Sequence, residues 1–185
     1  MGMAAPLYHT AEMVRALTDE MRHWPRYETV HGELLVTPAP RMWHQEVVAR
    51  LMVGLREYVT RQGVGHAFAS PSDISWGPDT LVQPDVFVVP TAEARTLTWS
   101  KVTTLHLAIE VLSPSSVRAD RFTKRHLYQE VGVPVYWVID AENLSAEVWT
   151  QVDLFPRAEK ECLVWMPNGA TEPFELPLEE LFRPI

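Results

Sequence analysis

Cysteine is nearly missing: the 185 residues hold one, Cys162. A lone cysteine excludes an internal disulfide framework and a cysteine-based zinc site. Long apolar runs are missing too, and none reaches the length that spans a bilayer. The opening stretch, MGMAAPLYHTAEMV, lacks a basic segment followed by an apolar one, the mark of a secretory signal. The expectation is a cytoplasmic protein without membrane contact. Positive charge is also short, with 16 Lys and Arg against 24 Asp and Glu and a formal net charge of −8. That balance argues against a protein that coats nucleic acid by bulk electrostatics. It leaves room for an enzyme with a locally basic groove and an acidic metal site. No repeat, low-complexity tract or linker interrupts the chain, so residues 1–185 are expected to form one domain with a real core.

What is present is ordinary globular material, 46% hydrophobic and 22% charged. Thr10 caps a predicted helix that runs through Leu17 and Met21 and stops near Pro25. Tyr27 to Val30 and Glu33 to Thr37 read as a tight hairpin around Gly32. From about Trp43 to Arg61, apolar residues recur at helical spacing, and Gly63 and Gly65 end the helix. Short strands follow at His66–Ser70 and Asp73–Trp76, then the strongly apolar Pro84–Pro90. Residues 91–104 read as loop. Beyond a central strand and helix, further strands are expected at Val135–Asp140, Ala146–Thr150 and Cys162–Trp165. The tail FELPLEELF reads as a short strand and a helical turn. This order predicts an α/β fold with a mixed central sheet flanked by helices.

The stretch with the most chemistry is Leu107 to Lys124, LAIEVLSPSSVRADRFTK. Its apolar start reads as a strand buried on both faces, broken by one carboxylate, Glu110. A buried carboxylate must be paired, protonated or bound to a metal. Ser113-Pro114-Ser115-Ser116 ends the strand; no nucleophile-elbow pattern surrounds these serines. On the next helix, Asp120, Lys124 and Tyr128 stand at i, i+4 and i+8 and share a face. A second apolar strand also carries one acid, Asp85. Two such carboxylates on neighbouring strands could face one hard divalent cation, Mg²⁺ or Mn²⁺ rather than zinc. A lysine within reach, Lys124, could orient or deprotonate a water, or meet the charge of a pentavalent phosphate.

These segments resemble the Uma-type bacterial endonucleases, a branch of the PD-(D/E)XK restriction-endonuclease-like superfamily. The resemblance runs over residues 26 to 150 and rests on RYETVHGELLVTPAP, HQEVVARL, LVQPDVFVVP, LAIEVLSPSS and DRFTKRHLYQEVGVPVYWVID. It implies a restriction-endonuclease-like fold and metal-dependent cleavage of DNA. Asp85 matches the PD aspartate and Glu110 the acid of the (D/E)XK element, both as metal ligands, with the backbone carbonyl of Val111 as a further one. The superfamily's usual lysine lies two residues after the acid. That position here is Leu112, so the resemblance points to Lys124 on the following helix instead. Glu33 matches an early hairpin acid that completes the metal site or holds a metal-bound water. His44 lies at a family position without an assigned role.

Each residue has a blander reading. Lys124 could pair with Asp120 on a helix surface, and Asp120 reads first as a salt-bridge or helix-start acid. Tyr128 reads first as packing, His44 as a capping or surface histidine, and Glu33 as an exposed hairpin acid. Arg118, Arg121 and Arg125 make the stretch around Lys124 locally basic. They form either a phosphate-contacting surface or a solvated helix face. Three functions are carried forward. The first is a Mg²⁺- or Mn²⁺-dependent endonuclease acting on DNA. The second is a non-catalytic nucleic-acid-binding or assembly module on the same fold, favoured by the missing strand lysine. The third is an interaction protein using exposed tryptophans. A homodimer stays open, because cutting both strands at once takes two sites.

Overall fold

The computed structural model describes residues 7–21 and 25–185. Helix α1, Ala11–Met21, is capped by Thr10, whose hydroxyl oxygen accepts the Met13 N–H at 3.1 Å. The expected stop of this helix near Pro25 falls partly outside the described residues. Strands β1, Arg26–Val30, and β2, Glu33–Thr37, form the predicted hairpin. Gly32 turns it at φ 81, and a side chain there would run into the Tyr8 ring. Helix α2 is Met42–Gln62 and ends on Gly63 in the left-handed region, φ 68. Next come β3, His66–Ala69; β4, Ile74–Gly77; β5, Thr80–Val82; and β6, Val86–Val89.

Between residues 91 and 104 the structure departs from the expected loop. It holds a one-turn helix α3, Thr91–Ala94, and a 3-10 turn, Trp99–Lys101. Strand β7 is Leu107–Val111. The helix after it is not α-helical throughout: Ala119–Lys124 is a wide π-helical run, and only then does α4, Arg125–Glu130, begin. The rest comprises β8, Val135–Asp140; β9, Ser145–Thr150; β10, Arg157–Glu159; β11, Cys162–Trp165; β12, Phe174–Pro177; and a last turn α5, Leu178–Leu181.

The central sheet has six strands in the order β10-β9-β8-β7-β6-β3. It is mixed, because β7 and β8 are parallel and the other pairs antiparallel. A four-stranded antiparallel sheet, β2-β1-β5-β4, and the small pair β11-β12 flank it. The expected α/β fold with a mixed sheet between helices is what forms. Strand alternation divides the sheet into two faces. Leu107, Ile109 and Val111 pack with Leu51, Leu55 and Val59 of α2. Ala108 faces the other way, into a cluster with Tyr128, Tyr136 and Val30. Glu110 shares that second face, which decides where its charge must find a partner. Among the described residues no helix is long and apolar enough to cross a membrane.

Candidate active site

Two acids enter the site from adjacent strands. Val86 of β6 pairs with Ile109 of β7, so Asp85 and Glu110 stand one step beyond, at the same end of the ladder. Asp85 is held from several sides. Its Oδ2 accepts the Val111 N–H at 2.9 Å, and its Oδ1 lies 3.2 Å from Arg26 Nη1. His44 Nε2 is 3.6 Å from Oδ2, an ion contact too long for a good hydrogen bond. Burial alone favours the protonated acid, but His44 and Arg26 outweigh it and hold the carboxyl well below the usual carboxylate range.

Glu110 sits deeper, 1% exposed. Its Oε1 accepts from Lys124 Nζ and from the Tyr128 hydroxyl, both at 3.0 Å. The same ammonium lies 2.9 Å from Glu28 Oε1 and 3.6 Å from Asp120 Oδ1. One buried lysine therefore serves three buried carboxylates. Burial pulls its pKa down, but Glu110, Glu28 and Asp120 more than reverse this and keep it protonated. The acids do not all gain equally. Burial pushes Glu110 well up, with Lys124 opposing and Asp120, Asp85 and Glu28 adding to the rise. Burial likewise raises Asp120 to about 6, against the pull of Lys124 and Ser116.

Sequence reasoning missed Glu28 and Arg26. Alternation along β1 could have found both, because residues 26, 28 and 30 share a face and Val30 is plainly apolar. Glu28 is fully buried, accepts the Gln83 N–H at 2.7 Å and lies 3.7 Å from Arg26 Nε. Glu33 is not brought to the cluster. It pairs with Val30 at the tip of the hairpin, where its side chain is exposed. The hairpin acid at the site is Glu28.

The arginines around Lys124, read as either a phosphate-contacting surface or a solvated helix face, are partly engaged within the fold. Arg121 is spent on Asp140 at 3.1 Å and Glu147 at 2.7 Å. Arg125 lies over the Trp149 ring at 4.8 Å and donates to Gln129. Arg118 is exposed. Asp120, Lys124 and Tyr128 do share a face as predicted, and all three are buried. The surface ion pair that the bland reading assigned to Lys124 and Asp120 is thus an interior one.

The donors suit a hard divalent cation in type and in charge. Glu28, Asp85, Glu110 and Asp120 are four buried acids, against the cations Arg26 and Lys124. Glu28 Oε2 and Asp120 Oδ1 are buried without a hydrogen-bond partner, which is costly in a low-dielectric interior. Among the described residues, however, no three histidine, cysteine, aspartate or glutamate side chains gather as a ready cation site. A cavity of about 520 Å³ opens beside the cluster. Asp85, Asp120, His44, Arg26 and Gln83 line it, whereas Glu110 and Lys124 lie behind its wall.

Comparison with known proteins agrees with this architecture. A solved structure described as "a putative nuclease belonging to DUF820 from Anabaena variabilis ATCC 29413" is 21% identical. The match covers 90% of this chain and 96% of that one, with a TM-score of 0.71, which establishes a shared fold. No curated protein matches. The model of the Uma2 family, described as "Putative restriction endonuclease", matches residues 11–170. That span holds the hairpin, α2, both acid-bearing strands and the lysine-bearing helix, and the chain belongs to the Uma2 family of restriction-endonuclease-like nucleases.

Proposed function

We propose that this protein is a metal-dependent endonuclease that hydrolyses phosphodiester bonds in DNA. The observation that carries this reading is the meeting of Lys124 with Glu110 at 3.0 Å. It returns a lysine to the strand acid although Leu112 stands where the strand lysine would be. Asp85 and Glu110, with the Val111 carbonyl, would hold Mg²⁺ or Mn²⁺. When bound there, such a cation would polarise the phosphate and make water more acidic.

The chain's own groups have distinct tasks. Arg26 and the Val111 N–H aim the Asp85 carboxylate toward the cavity. Lys124 orients Glu110 and offsets negative charge that grows on a phosphate in the transition state. Held protonated by Glu110, Glu28 and Asp120, it acts as an electrostatic group, not as the base that takes a proton from water. Tyr128 fixes the second side of Glu110 Oε1. Glu28 holds Lys124 from the opposite side.

The test is nicking of supercoiled plasmid with Mn²⁺ or Mg²⁺, wild type against Asp85→Ala. Cleavage by wild type alone supports the assignment. Equal cleavage by both proteins would overturn it. A non-catalytic nucleic-acid-binding or assembly module is the second reading. It is favoured by the closed ion pairs around Glu110, which leave that acid 1% exposed and away from the cavity wall. That reading gains if neither protein nicks.

A further inference from the structure

We infer that the open edge of the central sheet at β10 binds a second copy of this chain, strand to strand and antiparallel, anchored by the apolar loop before β10. This contact is independent of the nuclease chemistry.

The loop before β10 presents Val152, Leu154 and Phe155, each more than 80% exposed. Large apolar side chains set this close together form a patch, not a scatter of single surface residues. The loop that carries them is fixed at its base. Gln129 Nε2 donates to the Thr150 and Asp153 carbonyls at 2.8 and 2.9 Å, and Asp153 Oδ2 accepts the Thr150 N–H at 2.7 Å.

Next to this patch the sheet ends. In the order β10-β9-β8-β7-β6-β3, β10 has a strand on one side only. The opposite edge is closed in part, because Arg56 Nη1 donates to the Ala67 carbonyl of β3 at 3.0 Å. On β10, Arg157 and Ala158 are exposed. An unpaired edge is a template for a further strand.

Charge selects the occupant. Arg157 and Glu159 flank Ala158 on one face of β10 and pair with each other. A two-fold axis at Ala158 sets Arg157 against the partner's Glu159 and Glu159 against the partner's Arg157, so both cross-strand pairs are of opposite sign. A short charged edge ordinarily deters chance pairing. This one repels a parallel, in-register copy and attracts an antiparallel one. The same register runs the loop of one copy toward the segment after the partner's β10, where Val164 and Met166 are exposed.

The location keeps the candidate site free. Strands β7 and β8 run parallel, so Glu110 lies toward the Asp140 end of β8. The loop leaves β9 at Thr150, which pairs with Val135 at the far end of β8. Strands β8 and β9 also separate β10 from β7. Pairing at β10 therefore leaves the cavity beside Asp85 open in both copies.

The experiment measures the mass of the full chain in solution, by light scattering after gel filtration and by sedimentation, over micromolar concentrations. Wild type should give twice the 21.1 kDa of one chain. Leu154→Ser with Phe155→Ser should give the single chain. Arg157→Glu should weaken the dimer about tenfold or more, because it turns both attractive cross-strand pairs repulsive. Adding Glu159→Arg to that variant should restore the dimer, since the swapped charges meet their opposites only in a second copy that carries the same swap. Circular dichroism checks that each variant keeps its fold. A wild type that stays a single chain would overturn the inference and leave the edge to a different partner. A dimer indifferent to the loop variant or to Arg157→Glu, or one that the charge swap fails to restore, would overturn it as well.

Discussion

Lys124 Nζ lies between Glu28 Oε1 at 2.9 Å and Glu110 Oε1 at 3.0 Å, so one ammonium joins the hairpin to the central sheet. The two acids come from sheets with no shared strand. The ion pairs, buried at 2% exposure, tie those layers together.

Removing that ammonium should therefore harm the fold as well as the chemistry. Lys124→Met leaves Glu28, Glu110 and Asp120 buried without their cation. Losing one partner of a buried pair costs roughly 3–5 kcal/mol. Urea unfolding should show this loss, and adding Glu110→Gln to the variant should recover part of it. Two substitutions that simply add would mean that the pair is not coupled in solution.

The hairpin acids separate cleanly. Glu28→Gln should lower cleavage by about tenfold or more, because it loosens the Lys124 position at a cost of about 1.4 kcal/mol or more in the transition state. Exposed Glu33→Gln should leave cleavage unchanged and alter stability by no more than about 0.5 kcal/mol. The reverse ranking in a cleavage assay would restore Glu33 to the site and remove Glu28.

Asp120 makes the metal-free protein sensitive to pH. Burial raises its carboxyl from 3.8 to about 6. Between those values the folded chain binds more protons than the unfolded one, so stability falls as pH rises. The contribution is full below the unfolded value and lost as pH climbs through about 6, a change of about 3 kcal/mol. Asp120→Asn should flatten this part of the curve. Unfolding at about pH 5 and pH 7 in metal-free buffer decides the matter: equal slopes for both proteins reject it.

Divalent cation should stabilise the fold through Asp85. Binding to the folded state alone adds about 2.7 kcal/mol at a hundredfold excess over Kd. Thermal unfolding with and without Mn²⁺ should show a rise for wild type and none for Asp85→Asn. An equal rise in both would place the cation elsewhere.

Much of the architecture is written locally. Periodicity marks α2 along its apolar face, and Gly32 and Gly63 stand where the chain needs positive φ. Glu110 announces itself, because a carboxylate inside LAIEVL has few structural excuses. The i, i+4, i+8 spacing of Asp120, Lys124 and Tyr128 likewise survives, although the turn carrying the first two is π-helical. Hydrogen-bond ring size within a helix leaves no mark in residue periodicity over so short a run.

Other features depend on contacts between distant segments. Glu33 and Glu28 are both acids of one hairpin, and only its docking on the central sheet buries one while the tip leaves the other in water. The arginines near Lys124 look free in the chain, until β8 and β9 bring Asp140 and Glu147 to Arg121. Sequence by itself determined which residues can carry charge into the core and which elements bear them, because propensity and periodicity act over a few residues. Tertiary structure decided which charges meet, because ion pairing falls off over a few ångströms while partners such as Lys124 and Glu28 lie 96 positions apart in the chain.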